Sequence, residues 1–150
     1  MITGQFSRTA DFDPGTNTYN LTAVNGIDMF VLKMSPNGNL IWVKKIGGNS
    51  NEIGKSITSD INGNIYTTGY FRSQTDFDPG ASTYNLTNIG LRDIFIQKLD
   101  ANGNFQWAKQ MGGTGDDEGN SITTDINGYV YTTGSFQRTV DFDPDTGTII

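Results

Sequence analysis

The chain has 150 residues, 16 Asp or Glu against 10 Lys or Arg, and a formal net charge of −6. It has no cysteine and no histidine, which excludes disulfides, thiol catalysis, thiolate zinc sites and any Ser-His-Asp arrangement. Basic residues form no cluster and no apolar run approaches the roughly 20 residues of a membrane span, which argues against nucleic acid and membrane insertion.

The chain repeats itself. Asp11-Phe12-Asp13-Pro14-Gly15 returns as Asp76-Phe77-Asp78-Pro79-Gly80 and again as Asp141-Phe142-Asp143-Pro144-Asp145, at a constant offset of about 65 residues. Trp42 and Trp107, Gly47-Gly48 and Gly112-Gly113, and Tyr66–Gly69 and Tyr131–Gly134 keep the same offset. A fixed period predicts one structural unit stacked on copies of itself.

In chain order, the first segment, Ile2–Phe6, aligns with Thr67–Phe71, so the chain opens inside a repeat. Four strand-like runs follow in each copy. In the middle copy they are Ser56–Ile61, Asn64–Phe71, Asp93–Leu99 and Phe105–Met111, rich in β-branched and aromatic residues and without helical periodicity. Asn62-Gly63 and Asn102-Gly103 predict tight hairpins between them, as do Asn37-Gly38 and Asn127-Gly128 in the other copies. Small residues suit a narrow inner strand and bulky ones a wide outer strand. The Ser-Ile-Thr run is therefore placed innermost and the Trp run outermost, with residues 47–55 crossing between units. Residues 72–92 form a long excursion between the second and third runs, and its Thr-Tyr-Asn-Leu-Thr stretch reads as an extra extended strand. The expectation is all-β: a β-propeller-type array of four-stranded antiparallel blades. Residues 1–47 form a partial blade, 56–111 a full one and 121–150 another partial one.

The patterned residues are Asp93-Ile94-Phe95 with Lys98, Asn102–Asn104, Trp107, Gly112-Gly113, Asp116–Gly119 and Asp125–Gly134. Together they resemble the bacterial β-propeller repeat called SBBP, which is similar to NHL-type propellers. The resemblance implies a secreted or cell-surface protein and names no ligand.

Three sets of residues invite chemistry. The paired carboxylates Asp11 with Asp13, Asp76 with Asp78, and Asp141 with Asp143 could each start a calcium site, since calcium gathers carboxylate and carbonyl oxygens. The same Asp-Pro-Gly sequence also makes an ordinary capped turn. Phe12 and Phe77 are expected to pin the excursion to the sheet. Asp116-Asp117-Glu118 could serve carbohydrate chemistry or be a solvated connection; the first copy has Asn51-Glu52-Ile53 there, which argues against one shared chemistry. Trp42 and Trp107 are expected to pack between outer ends of sheets, sugar stacking being the alternative. The expected role is a non-catalytic scaffold or binding module with calcium as candidate cofactor. Its expected partners are further repeats, identical copies, or a protein or carbohydrate ligand. The alternatives are a self-assembling filament subunit and the propeller part of a carbohydrate-active enzyme.

Overall fold

A computed structural model describes residues 1–143, and those residues are all β, without a helix. In chain order the strands are β1 (Ile2–Asp11), β2 (Asn20–Met34), β3 (Leu40–Gly48), β4 (Glu52–Ser59), β5 (Ile65–Phe71), β6 (Gln74–Asp76), β7 (Asn85–Thr87), β8 (Asp93–Leu99), β9 (Phe105–Gly113), β10 (Glu118–Thr124), β11 (Val130–Ser135) and β12 (Val140–Asp141). They form three antiparallel sheets, ordered β1-β2-β3-β6-β7, β4-β5-β8-β9-β12, and β10-β11. The Ser-Ile-Thr run lies at one edge of the middle sheet, and the Trp run lies toward the other.

Two boundaries differ from the sequence reading. β4 begins at Glu52 rather than Ser56, so the crossing from β3 is shorter than 47–55; a bulge between Gly54 and Ser56 absorbs the difference. The excursion also does not stay on its own sheet. It leaves β5 as β6, and β6 pairs with β3 of the preceding sheet, Gly47 opposite Asp76 and Gly48 opposite Thr75. β12 repeats the move one unit later, with Val140 opposite Gly113 on β9. The first and middle sheets thus each receive a strand from the next repeat. The extra strand expected in Thr-Tyr-Asn-Leu-Thr is β7, paired to β6.

One backbone feature is shared by all three copies. Arg8, Ser73 and Arg138 have φ of +61°, +63° and +67°. L-residues enter that region at a cost of order 1–2 kcal/mol; in the second and third copies it falls where the chain leaves the second strand for the excursion, and in the first it marks a bulge within β1, after which Thr9–Asp11 stay paired with β2. The hairpins work differently. Gly38, Gly63, Gly103 and Gly128 take the positive φ, while the preceding Asn residues do not. In three of the four, an aspartate at the turn's start (Asp60, Asp100 or Asp125) accepts the N–H groups two and four residues on.

The core lies between the first and middle sheets. Met29, Val31 and Ile46 from the first meet Ile65, Phe71, Phe95 and Leu99 from the second, with Phe77 from the excursion. Phe77 is fully buried, and its ring sits 5.3 Å from Phe71 and 5.1 Å from Phe95. Gln97 Nε2 donates to the Phe77 carbonyl at 2.7 Å, fixing the backbone at the same point. The first copy builds the same triad from Phe6, Phe12 and Phe30. Phe12 and Phe77 are therefore anchors.

The two tryptophans differ in setting. Trp42 packs against the core, and its ring faces the Gly103 turn of the next sheet. Lys33 Nζ donates to the carbonyl of Ala101 beside it at 2.8 Å. Trp107 is half-buried against Tyr66, 6.1 Å between ring centres. Removing the fully enclosed anchor should therefore cost most. Phe77→Ala is expected to destabilise by about 3–5 kcal/mol, and Trp107→Ala by clearly less, in parallel urea titrations. Equal losses would contradict this ranking.

Candidate functional site

The excursion loop is built by its own carboxylates. Asp76 Oδ1 accepts the N–H groups of Asp78 (3.0 Å) and Tyr84 (2.8 Å), and Asp78 Oδ1 accepts that of Gly80 (2.7 Å). The first copy is the same: Asp11 Oδ1 takes Asp13 and Tyr19, and Asp13 Oδ1 takes Gly15. The N–H of Tyr19, then that of Asp13, hold the Asp11 carboxyl below its usual range. In the third copy Asp141 Oδ1 accepts the N–H of Asp143; Pro144 and Asp145 lie outside the described residues. One oxygen of each of these aspartates thus serves the turn. Among the described residues, no three acidic side chains gather where they could hold a metal ion.

The Asp116-Asp117-Glu118 run separates into three environments. Asp116 pairs with Arg92 at 2.7 Å, and the guanidinium holds its carboxyl low. Glu118 pairs with both Arg92 and Lys55, and these two cations lie over the Tyr70 ring at 4.7 and 5.6 Å. Asp117 turns inward and is fully buried. Its Oδ2 accepts the N–H of Gly113 at 2.9 Å and its Oδ1 that of Gln137, also at 2.9 Å.

Glu52 does in the first junction what Asp117 does in the second. It is fully buried; its Oε2 accepts the N–H of Gly48 and its Oε1 the hydroxyl of Thr75, both at 2.9 Å. Gly48 ends β3 and Thr75 belongs to β6, so one carboxylate ties the outer strand of one sheet to the strand arriving from the next repeat. Asp28 and Asp93 lie beside these clamps, also fully buried. Asp28 Oδ2 accepts the N–H of Val24 and lies 3.4 Å from Lys45 Nζ; Asp93 Oδ2 accepts from Ile89 N–H and Gln110 Nε2. Any Cβ on Gly47 or Gly112 would sit 2.3 or 2.2 Å from the carboxyl carbon of these aspartates, so the Gly-Gly pairs are where the acids lie across the strand.

These buried acids set the pH response. Burial pushes Glu52 up from 4.5 to about 7, with the nearby Asp28 adding to the rise, and burial also raises Asp28 and Asp93. An acid that binds its proton more tightly when folded favours the fold at low pH and opposes it once ionised. Glu52 should therefore cost nothing below pH 4.5 and cost about 3 kcal/mol above pH 7. Asp11 and Asp116 act in the opposite sense, stabilising above about pH 4 and losing that effect below it. We expect melting temperature to peak near about pH 5 and fall toward pH 8. Glu52→Gln should flatten the alkaline fall and raise the melting temperature at pH 8; an unchanged slope would assign the response elsewhere.

At the junction of the middle sheet with the third copy, a groove of about 270 Å³ opens between the excursion, β9 and β12. Tyr84, Leu86 and Ile89 form one wall, and Ala108, Lys109 and Gln110 the floor. Asp141 and Asp143 close the far side. Ala108 holds the place that Val43 holds one repeat earlier. The Ile89 side chain is largely exposed. Sequence reasoning named the two aspartates; it missed the other walls because they come from β7, its flanking loop and β9, which are distant in the chain.

Comparison with known proteins agrees with the repeat reading. The β-propeller repeat SBBP matches residues 41–70 and 106–135. An uncharacterised WD repeat-containing protein of Acanthamoeba polyphaga mimivirus is 28% identical over 125 residues, covering 81% of this chain and 9% of that protein. Regulatory protein FlaEY of Caulobacter vibrioides is 25% identical over 128 residues, covering 81% of this chain and 13% of that protein. The chain therefore spans only a small part of these relatives. Two segments of it, one repeat apart, are similar to the SBBP β-propeller repeat.

Proposed function

We propose that this chain is a non-catalytic binding and scaffold module, part of a propeller array whose blades each use the four strands equivalent to β4, β5, β8 and β9, with a period of about 65 residues. The observation that carries the reading is the division of labour among polar groups. Asp116 and Glu118 are ion-paired, while Asp28, Glu52, Asp93 and Asp117 are buried and hydrogen-bonded within the fold. A surface feature suited to recognition is the groove at the repeat junction, which mixes an aromatic edge, aliphatic walls and both signs of charge. Pockets with apolar walls and a few convergent polar groups suit ligand binding. The WD repeat-containing relative supports the same class of role. The ligand is a protein segment or a carbohydrate, and the setting is secreted or cell-surface, consistent with the acidic, cysteine-free composition.

The test is direct binding of the intact chain to peptide and glycan arrays, repeated with Ile89→Arg. That residue is largely exposed, so the arginine fills the groove without disturbing the core. Ligands that bind the parent chain should be lost by the variant at unchanged melting temperature. Hits that survive the substitution would move the site elsewhere.

A second reading, calcium at Asp141 and Asp143, is favoured by their place on the groove wall. A cation bound only by the folded form stabilises by mass action. Millimolar calcium should then raise the melting temperature, chelator should lower it, and Asp141→Asn with Asp143→Asn should remove the response. A flat titration would leave these residues as turn-formers.

A further inference from the structure

The two junctions between repeats share a backbone and differ in side chains. At the first, Ile27 forms a parallel bridge with Asn51; at the second, one period on, Arg92 forms the same bridge with Asp116. A buried acid closes each junction, Glu52 or Asp117. The residues flanking that acid are unlike. At the first junction they are neutral: Asn51 and Ile53 on the arriving crossing, Ile27 and Gln5 on the sheet that receives it. There Asn51 Oδ1 accepts the N–H of Ile27 at 3.3 Å.

At the second junction all four places change. Asp116 and Glu118 arrive, and Arg92 and Tyr70 receive them. Arg92 Nε donates to Asp116 Oδ1 at 2.7 Å, and its Nη1 pairs with Glu118. Lys55 joins from β4; it pairs with the same Glu118, and its Nζ donates to Asn120 Oδ1 at 2.9 Å. Both cations stand over the Tyr70 ring. The four charged side chains are 19–29% exposed, so solvent ions screen them less than they would open surface pairs. The third copy has Asn120 and Ser135 where the middle copy has Lys55 and Tyr70. The cationic receiving surface therefore belongs to the middle copy alone among the three.

We infer that this cluster selects the neighbour. The surface of Lys55, Tyr70 and Arg92 accepts a following repeat whose crossing carries acids on both sides of the buried one, and rejects the neutral crossing that serves the first junction. A mismatch fails in both directions. A crossing with Asn and Ile at those places would leave the Arg92 guanidinium half-buried without an acid. An acidic crossing set against Ile27 and Gln5 would leave two carboxylates without a cation. Discrimination is sharpened when the wrong pairing leaves charge uncompensated, beyond what attraction to the right partner supplies. The device answers a hazard of this chain: its copies repeat the same turns and anchors, and units so alike misassemble and swap during folding. The selection concerns which repeat sits beside which and is independent of what the groove binds.

The test transplants the first junction's residues into the second in the intact chain, with urea titration as the readout. Asp116→Asn with Glu118→Ile keeps Arg92 and brings in the neutral crossing. Arg92→Ile keeps the acids and removes their receiver. Each mismatch is expected to lower the folding constant at least about tenfold. All three substitutions together rebuild the Ile, Asn and Ile of the first junction and should restore the folding constant to within about threefold of the parent, with no ion pair to residue 92 left. Recovery separates matching from plain ion-pair stabilisation, which makes the triple variant no more stable than the weaker mismatch. A triple variant that weak, or mismatched chains as stable as the parent, would overturn the inference. If a mismatched chain does not fold, a triple variant that folds supports the inference and one that does not overturns it.

Discussion

Each join between neighbouring repeats turns on one buried carboxylate. The strand that ends in Gly48 or Gly113 must give way to a crossing, and its last N–H group points inward, away from water. Leaving such a donor unpaired costs on the order of 1–3 kcal/mol. Glu52 and Asp117 satisfy it, and with the second oxygen each holds the chain that returns from the next repeat, through Thr75 or the N–H of Gln137. Burying these acids carries its own penalty, visible in the raised Glu52. The fold accepts that penalty because one carboxylate resolves the strand end and positions the excursion together. The aromatic triad then fixes the excursion's far end, and the Asp-x-Asp turn shapes what lies beyond.

This order of dependence explains why acidic residues dominate the motifs while so little chemistry follows from them. The carboxylates in the repeat signature are directed at backbone N–H groups, at polar side chains such as Thr75 and Gln110, or at Arg92, Lys45 and Lys55. They specify geometry, and the groove wall where repeats meet is among the regions that vary between copies. The exchange of Val43 for Ala108 and of Lys45 for Gln110 changes that wall without touching the clamp.

Much of this was legible in the sequence, for physical reasons. Asn-Gly pairs, β-branched runs and the Trp and Ser-Ile-Thr strands carry local preferences strong enough to read directly, and Phe12 and Phe77 stood out as large rings in a polar loop. What escaped notice depended on partners far along the chain. Glu52 and Asp117 differ in length and in neighbours, so Asn-Glu-Ile and Asp-Asp-Glu looked like unrelated loops; only the shared N–H acceptor reveals the match. Arg8, Ser73 and Arg138 take a left-handed backbone without glycine, so no residue type announces the turn. The landing of β6 on β3 was hidden for the same reason. Two residues of β6 pair with β3 through main-chain atoms, which leave no side-chain pattern.

That landing alters how the repeats share their fate. In an ordinary stacked array, one unit can fray while its neighbour stands, because the contact between them is side chain against side chain. Here a strand of one unit is hydrogen-bonded into the sheet of the unit before it. Melting a unit withdraws the outermost strands of its predecessor, exposing an unpaired edge and the buried acid behind it. Disorder therefore spreads backward along the chain more readily than forward, and the array has a direction built into its cooperativity.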